Sequence, residues 1–269
     1  MIETSFLKKI KALLIDIDGT LLSSDKPLPG MVEFFNFLNQ HSINYLILSN
    51  NSTKSPYTYY QKITSLGGEI QPENILTSAG VTVQIMKEKY TGKNVYLIGE
   101  DGIREALEKE GYQIIKNVTQ KADFVVVGGD HYLTYEKLKF ASLHLQAGAQ
   151  FIGTNPDVLV PSEEGLIPEC GVNIAALEAA SGKKAIVIGK PNPLMYQSAL
   201  KQLGNHASET AMIGDRLETD IFGGLQAGLK TILVETGVDN HQSIIRKGIT
   251  PDLVVNDLIN LISIWSNQL

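Results

Sequence analysis

Two aspartates stand two positions apart where the first strongly apolar segment of the chain ends. The run Ala12–Ile17 contains Asp16, Asp18 follows it, and Gly19 allows the chain to turn sharply. Two neighbouring carboxylates repel each other unless a cation or a proton separates them. Mg²⁺ suits such a position, because it takes oxygen ligands and also binds substrate phosphates. The motif therefore predicts a magnesium site, and an Asp-rich turn or helix cap is the alternative that it leaves open.

Polar residues also follow the apolar run Tyr45–Leu48. Ser49 and Asn50 come directly after it, and their hydroxyl and amide groups could hold phosphate oxygens. For Ser52 and Thr53, a few positions further on, the sequence favours N-caps of the next helix.

Two later apolar runs end in charged residues. Lys190 follows the run 185–188, and Asp215 and Asp220 follow the run 211–213. A lone lysine is solvent exposed by default, and Asp220 could equally cap a helix and compensate its dipole. In open α/β sheets, however, ligands bind beyond the carboxyl ends of the strands, which is where these residues are expected.

The elements that must position these residues alternate along the chain. Several apolar runs are nearly continuous and β-branched, which is typical of strands buried on both faces of a parallel sheet. The predicted strands are Ala12–Ile17, Tyr45–Leu48, Val95–Ile98, Phe124–Val127, Phe151–Ile152, Ala185–Ile188, Ala211–Ile213, Thr231–Val234 and Leu253–Val255. The predicted helices include Val32–Asn39, Pro56–Leu66, Tyr135–Ala147, Pro193–Leu203 and Asp220–Ala227. This alternation predicts an α/β fold with right-handed crossovers.

The composition excludes several classes of protein. Among 269 residues, 43% are hydrophobic and 19% are charged, which is a globular composition and not that of a disordered chain. The single cysteine, Cys170, excludes a disulfide scaffold and a cysteine-based zinc site, and it fits a reducing compartment. The N-terminal stretch resembles no signal peptide, and no run approaches the roughly 20 apolar residues of a membrane span. We therefore expect a cytoplasmic protein.

The net charge of −6 bears on the partners of the protein. A net-acidic chain repels nucleic acid and anionic membranes at long range, so neither is expected as a partner.

The polar segments at the strand ends resemble, in order, the four motifs of the haloacid dehalogenase superfamily. The matching segments are Asp16–Thr20, Ser49–Asn51, Gly189–Pro191, and Gly214–Asp215 with Asp220. Further segments are similar to the branch of p-nitrophenyl phosphatase-like (NagD-type) enzymes: Leu28–Gly30, Ser49–Thr53, Gly153–Asp157, Gly214–Asp220 and Leu233–Val238. Each segment is weakly specific by itself, but four in order at strand ends are a strong signal, and the resemblance covers nearly the whole chain.

The resemblance implies a Rossmann-like parallel-sheet core with an inserted α/β cap between the second and third motifs. No shift of composition marks a linker, which agrees with an insertion. We predict the catalytic core at 1–80 and 184–269, and the substrate-specificity cap at 81–183.

The resemblance also implies a substrate pocket in the cap. In this branch, the turn after the fifth predicted strand and the loop that follows it lie over the active site. Asn155 and Asp157 in that turn, and the loop Glu163–Val172, are therefore candidates for the pocket. An ordinary Asn-Pro-Asp turn is the alternative.

The resemblance assigns chemical roles to the motif residues. Asp16 is implied as the nucleophile, which forms an aspartyl-phosphate, and Asp18 as the general acid and base. Mg²⁺ is implied to bind the Asp16 carboxylate, the Asp18 backbone carbonyl and the Asp215 carboxylate.

The remaining motif residues are implied to assist this chemistry. Lys190 adds positive charge beside Asp16 and the phosphoryl group, and Ser49 and Asn50 orient phosphate oxygens. Asp220 is implied to lie outside the set of metal ligands, where it orients Lys190 or a water molecule.

The predicted function is that of a Mg²⁺-dependent phosphomonoesterase acting on small soluble phosphates. A phosphomutase on the same scaffold and a non-catalytic phospho-receiver-like module are the alternatives. A haloalkanoate dehalogenase is disfavoured by Asp18, because displacement of a halide needs neither an acid nor a metal. The sequence leaves open whether the substrate is a sugar phosphate, a nucleotide, a glycolate-type phosphate or pyridoxal phosphate. It also leaves open whether the protein forms a cap-mediated homodimer.

Overall fold

The computed structural model describes residues 4–162 and 164–269, and these form alternating strands and helices. The strands are β1 (Ala12–Asp16), β2 (Leu22–Ser23), β3 (Lys26–Pro27), β4 (Asn44–Ser49), β5 (Ile75–Thr77), β6 (Asn94–Ile98), β7 (Gln113–Ile115), β8 (Phe124–Val127), β9 (Gln150–Gly153), β10 (Leu159–Ser162), β11 (Gly165–Pro168), β12 (Ile186–Val187), β13 (Thr210–Gly214), β14 (Lys230–Val234) and β15 (Leu253–Val255). The α-helices are α1 (Met31–Gln40), α2 (Pro56–Ser65), α3 (Ser78–Lys89), α4 (Asp101–Lys109), α5 (Tyr135–Gln146), α6 (Cys170–Ser181), α7 (Pro193–Leu203), α8 (Phe222–Gln226), α9 (His241–Lys247) and α10 (Leu258–Ser266).

The described chain divides into two compact units. The core unit consists of residues 4–49, 57–76 and 190–269, and the inserted unit of residues 50–56, 77–162 and 164–189. The segment 50–56 packs with the inserted unit because Gly102 and Ile103 donate backbone hydrogen bonds to Thr53 and Ser52, at 2.9 Å each.

The core unit is built on a six-stranded sheet in the order β15-β14-β13-β1-β4-β5. β1 lies between β13 and β4 and pairs with both in parallel, and all five of its residues are buried. This explains why the sequence of β1 is apolar up to Asp16: both faces of the strand are covered. The parallel register brings the carboxyl ends of β1, β13 and β4 to one edge of the sheet.

Aromatic and aliphatic side chains fill the space between this sheet and its helices. Phe34 and Phe35 of α1 and Trp265 of α10 are fully buried in the same cluster as Leu13. Burying each side chain of this size stabilises the fold by about 1.5–3 kcal/mol, so this layer fixes the strands that carry the polar residues.

The inserted unit has its own five-stranded sheet in the order β12-β9-β8-β6-β7, in which neighbouring strands are parallel, and a separate hairpin of β10 and β11. Thr134 caps α5, since its hydroxyl accepts a hydrogen bond from the Lys137 backbone N–H at 3.2 Å. The α/β fold with parallel sheets is confirmed. Across the residues that the structure describes, no helix is both long and apolar enough to cross a membrane.

Two local predictions were wrong. A helix was predicted over Asp220–Ala227, but a π-helical turn at Leu217–Ile221 comes first and α8 begins only at Phe222. Ser52 and Thr53 do not cap α2. The Ser52 hydroxyl instead accepts hydrogen bonds inside the inserted unit, from the Gly129 backbone N–H and the Thr154 hydroxyl, both at 3.1 Å.

Candidate active site

Lys190 joins two of the predicted carboxylates at the carboxyl edge of the core sheet. Its ammonium donates hydrogen bonds to Asp16 Oδ1 and, at 2.7 Å, to Asp220 Oδ1. Lys190 is only 2% exposed, so the default expectation of a solvent-facing lysine does not hold here. The ion pairs compensate the cost of burying this charge.

Asp215 approaches the same place from β13, the strand next to β1. One carboxylate oxygen from each of Asp16, Asp215 and Asp220 lies within 4.8 Å of the others, and all three residues are buried. The backbone N–H of Val238 donates to Asp215 Oδ2 at 2.7 Å. The other oxygen, Asp215 Oδ1, is also buried, and among the described residues it has no hydrogen-bond partner. A buried oxygen of this kind is costly unless something else satisfies it.

Glycines make room for the Asp215 carboxylate on two sides. A Cβ atom on Gly19 would lie 2.3 Å from Asp215 Oδ2, and one on Gly237 would lie 2.0 Å from the same oxygen. Gly19 also has φ of +89°, a left-handed conformation that other residues rarely adopt. The turn after Asp18 therefore requires glycine for two separate reasons.

Three buried carboxylates lie together in the cluster, with the Lys190 ammonium bonded to two of them and the Arg216 charge also acting on Asp215. Burial raises the pKa of Asp16 well above its usual value, and the Asp220 and Asp215 charges add to this against the opposing effect of Lys190. Burial and the Asp220 charge together raise the pKa of Asp215 to about 7. Burial disfavours the charged form of Lys190, but Asp16 and Asp220 outweigh this and hold its pKa above the ordinary lysine value.

These observations fit a divalent cation. Three clustered carboxylates, the buried Asp215 oxygen without a hydrogen bond and the all-oxygen donor set suit Mg²⁺. Both oxygens of Asp220 already have donors within the protein, namely Lys190 and the Arg216 backbone N–H at 3.1 Å from Oδ2. Asp16 and Asp215 are therefore the better placed metal ligands of the three.

Asp18 and Ser49 lie at the same edge of the core sheet, just after β1 and at the end of β4. Asp18 is exposed and forms an isolated bridge with Leu22 beyond the end of β1. Ser49 ends β4, is 2% exposed and has its hydroxyl 3.5 Å from that of Tyr59.

The other predicted residues meet in the inserted unit. The amides of Asn50 and Asn155 each donate a hydrogen bond to Asp157 Oδ2, both at 2.9 Å. Glu169, in the predicted pocket loop, is buried, and this burial raises its pKa. Glu163, at the start of that loop, lies outside the described residues.

Two residues near the cluster have no role predicted from the sequence. Thr236 and Asp239, in the loop after β14, hydrogen-bond to the segments that carry Asp18 and Asp215. Thr236 lies in the segment Leu233–Val238, which is similar to the NagD-type branch, and this similarity could have pointed to it. Asp239 lies just beyond it, and no spacing pattern marks it.

Two models of known protein families and a curated relative match the chain. The model of the haloacid dehalogenase-like hydrolase family matches residues 13–113, and a second HAD-like hydrolase model matches residues 187–261. An acid sugar phosphatase of Staphylococcus aureus (strain USA300) is 39% identical over 252 residues, which cover 94% of this chain and 96% of that protein.

Two solved structures are similar to the chain over nearly its whole length. The crystal structure of a 4-nitrophenylphosphatase from Thermotoga maritima superposes with a TM-score of 0.91 at 35% identity, covering 96% of this chain and 98% of that one. NagD from E. coli K-12 superposes with a TM-score of 0.85 at 32% identity, covering 93% and 97%.

The chain therefore belongs to the haloacid dehalogenase-like hydrolase family. Within that family it falls in the NagD-type, p-nitrophenyl phosphatase-like branch, and it is a phosphatase by class. The family resemblance and the enzyme class predicted from the sequence are both confirmed.

Proposed function

We propose that the protein is a Mg²⁺-dependent phosphomonoesterase that hydrolyses small soluble phosphate esters through an aspartyl-phosphate on Asp16. The observation that carries the proposal is the buried cluster in which Lys190 bonds Asp16 and Asp220 while Asp215 keeps one oxygen unpartnered. Sugar phosphates are the favoured substrates, because the acid sugar phosphatase of S. aureus matches nearly the whole chain.

The first step is a transfer of the phosphoryl group to Asp16. A carboxylate oxygen of Asp16 attacks phosphorus, and the bond between phosphorus and the ester oxygen breaks. Asp18 donates its proton to the departing alcohol. The exposure of Asp18 fits a group that must exchange protons with substrate and water.

The second step regenerates the enzyme. Asp18, now ionised, takes a proton from a water molecule whose oxygen attacks the phosphorus of the aspartyl-phosphate. The bond between phosphorus and the Asp16 oxygen breaks, and inorganic phosphate leaves. Splitting one difficult displacement into two easier ones is the advantage of such covalent catalysis.

Asp16, Asp215 and the backbone carbonyl of Asp18 would hold Mg²⁺. A bound Mg²⁺ supplies positive charge that favours the ionised form of Asp16 and offsets its repulsion from the substrate phosphate. Lys190 adds fixed positive charge beside Asp16, and Asp220 holds the Lys190 ammonium in place.

Substrate contacts are assigned to residues at the ends of strands and in the insertion. Ser49 and Asn50, together with Lys190, orient the phosphate oxygens. Asn155 and Asp157 belong to the pocket for the leaving group, and the inserted segment acts as the specificity cap. The protein works in the cytoplasm on a phosphorylated metabolite, without nucleic acid or membrane, and a homodimer is compatible with this role.

The test is steady-state phosphate release from a panel of p-nitrophenyl phosphate, sugar phosphates and nucleotides, with Mg²⁺ and with EDTA. The proposal expects many turnovers with Mg²⁺, preference for a sugar phosphate, and no activity in Asp16→Asn. Asp252→Asn is the matched control, because Asp252 bonds Lys230 at 2.6 Å in the same unit but outside the cluster. A phosphoenzyme that persists for minutes without phosphate release would overturn the proposal in favour of a receiver-like module.

A further inference from the structure

We propose that the loop Thr236–Asp239, which follows β14, is a positioning element for the metal site. It holds the Asp215 carboxylate and the turn after Asp18 in the arrangement that binds Mg²⁺. This inference rests on the proposed function, since it concerns the metal ligands assigned there.

The loop bonds both catalytic segments at once. The Thr236 hydroxyl donates to the Gly19 backbone carbonyl at 2.6 Å, beside the Asp18 carbonyl that is proposed as a ligand. The Val238 backbone N–H donates to Asp215 Oδ2 at 2.7 Å. The Asp239 backbone N–H donates to the Asp215 backbone carbonyl at 3.0 Å. The chain segments after β1 and β13 are thus tied to one short loop.

These bonds determine which Asp215 oxygen is left without a hydrogen bond. Val238 donates to Oδ2, and among the described residues Oδ1 has no partner. The close approach is possible only because Gly237 has no side chain, since a Cβ atom there would lie 2.0 Å from Oδ2. The loop therefore fixes the rotation of the Asp215 carboxylate before any metal arrives.

The Asp239 side chain anchors the loop from the other side. It is 2% exposed, and its Oδ2 accepts a hydrogen bond from the Leu217 backbone N–H at 2.9 Å. Lys247 completes the anchor, with its ammonium 2.8 Å from Asp239 Oδ1. A buried, paired carboxylate of this kind orients the segment that it bonds, here the start of the π-helical turn that carries Asp220.

The test measures Mg²⁺ binding by isothermal titration calorimetry, without substrate, on four variants and the unmodified chain. Thr236→Val removes the hydroxyl at nearly constant shape, and Thr236→Ser restores it. Asp239→Asn keeps an acceptor for Leu217 but removes the charge that faces Lys247. Asp252→Asn is the matched control, because Asp252 likewise accepts from a lysine and from a backbone N–H, that of Thr231 at 2.9 Å.

Thr236→Val and Asp239→Asn are expected to weaken Mg²⁺ binding about 10-fold to 100-fold, as is typical when partners of metal ligands are removed. Thr236→Ser is expected to bind as the unmodified chain does, and Asp252→Asn is expected to lose thermal stability without losing affinity. The inference is overturned if Thr236→Val and Asp239→Asn retain full affinity, or if Asp252→Asn loses as much.

The same experiment separates this inference from the proposed function. If the unmodified chain neither binds Mg²⁺ nor needs it for phosphate release, the metal assignment of the proposed function falls, and the positioning role falls with it. If the unmodified chain binds Mg²⁺ and turns over, but Thr236→Val equals Thr236→Ser in affinity, only the positioning role is overturned.

Discussion

The polar clusters of the two units differ in how their carboxylates are compensated. In the inserted unit, the half-buried Asp157 accepts hydrogen bonds from the Asn50 and Asn155 amides. In the core unit, the buried Asp16 and Asp220 share Lys190, and among the described residues Asp215 Oδ1 has no hydrogen-bond donor. A further cation would satisfy that oxygen. The difference agrees with the proposed separation of chemistry in the core unit from recognition in the inserted unit.

The largest effect is expected when the proposed nucleophile, Asp16, is replaced. Asp16→Asn is expected to lower phosphate release at least about 10⁴-fold, because the covalent route is closed while the rest of the cluster remains. Acid-quench trapping with ³²P-labelled substrate should find no phosphoenzyme in this variant. Residual turnover within a hundredfold of the unmodified chain, in material free of host phosphatases, would contradict the assignment.

The next test removes the shared cation. Lys190→Met leaves Asp16 and Asp220 buried without compensation, so the free energy of unfolding at pH 8 should fall by about 3–5 kcal/mol. Urea unfolding measures this loss, which should shrink at pH 5 because Asp16, whose pKa is raised by burial, takes up a proton. Lys230→Met is the matched control, because Lys230 pairs with Asp252 near the surface, where such a pair contributes about 1 kcal/mol or less. Equal losses in the two variants would mean that the cluster is an ordinary set of ion pairs.

A third test uses protons as competitors of the metal. The pKa of Asp215 is raised to about 7, so below that pH the group is protonated in the metal-free protein. Because Mg²⁺ must displace this proton, its apparent affinity should weaken by about tenfold per pH unit below 7 and level off above. Calorimetric titrations from pH 5.5 to 8.5 measure the slope. A constant affinity across that range would show that Asp215 does not ligate the metal.

The smallest effect is expected in the inserted unit. Asp157→Asn replaces a carboxylate that accepts hydrogen bonds from Asn50 and Asn155 with an amide. Weakening these bonds should lower the free energy of unfolding by about 1–2 kcal/mol. Mg²⁺ affinity should stay within about twofold, because independent sites contribute additively, whereas the order of preference among sugar phosphates should change. A large loss of Mg²⁺ affinity in this variant would erase the distinction between the two clusters.

Much of the fold could be predicted because its strands are buried on both faces. Such strands are mostly apolar, and each predicted run overlaps an observed strand. The short strands β5 and β7 were not predicted. Helix α3 was missed because its buried residues extend around most of its circumference, so no single apolar face stands out.

The sequence also predicts the candidate site only in part. The motif residues could be identified because each follows a strand, but local sequence places Lys190 in solvent and Ser52 on a helix cap. Both expectations fail because the true partners lie far away in the sequence: Lys190 bonds Asp16, and Ser52 bonds Thr154. Contacts made by backbone groups, such as that of Val238 with Asp215, leave no trace in the residue types at all.

The position of β1 in the middle of the core sheet has a consequence for synthesis of the chain. Ala12 pairs with Thr210, so β1, which carries the proposed nucleophile, must wait for the last third of the chain before its second neighbour exists. At ordinary translation speeds that delay is roughly 10–40 s. The five-stranded sheet of the inserted unit, by contrast, comes from the continuous stretch 94–187 and has all its strands earlier. A ribosome-bound chain shorter than 210 residues therefore carries Asp16 and Asp18 but lacks β13 and Asp215, so competence for catalysis arrives only near the end of translation.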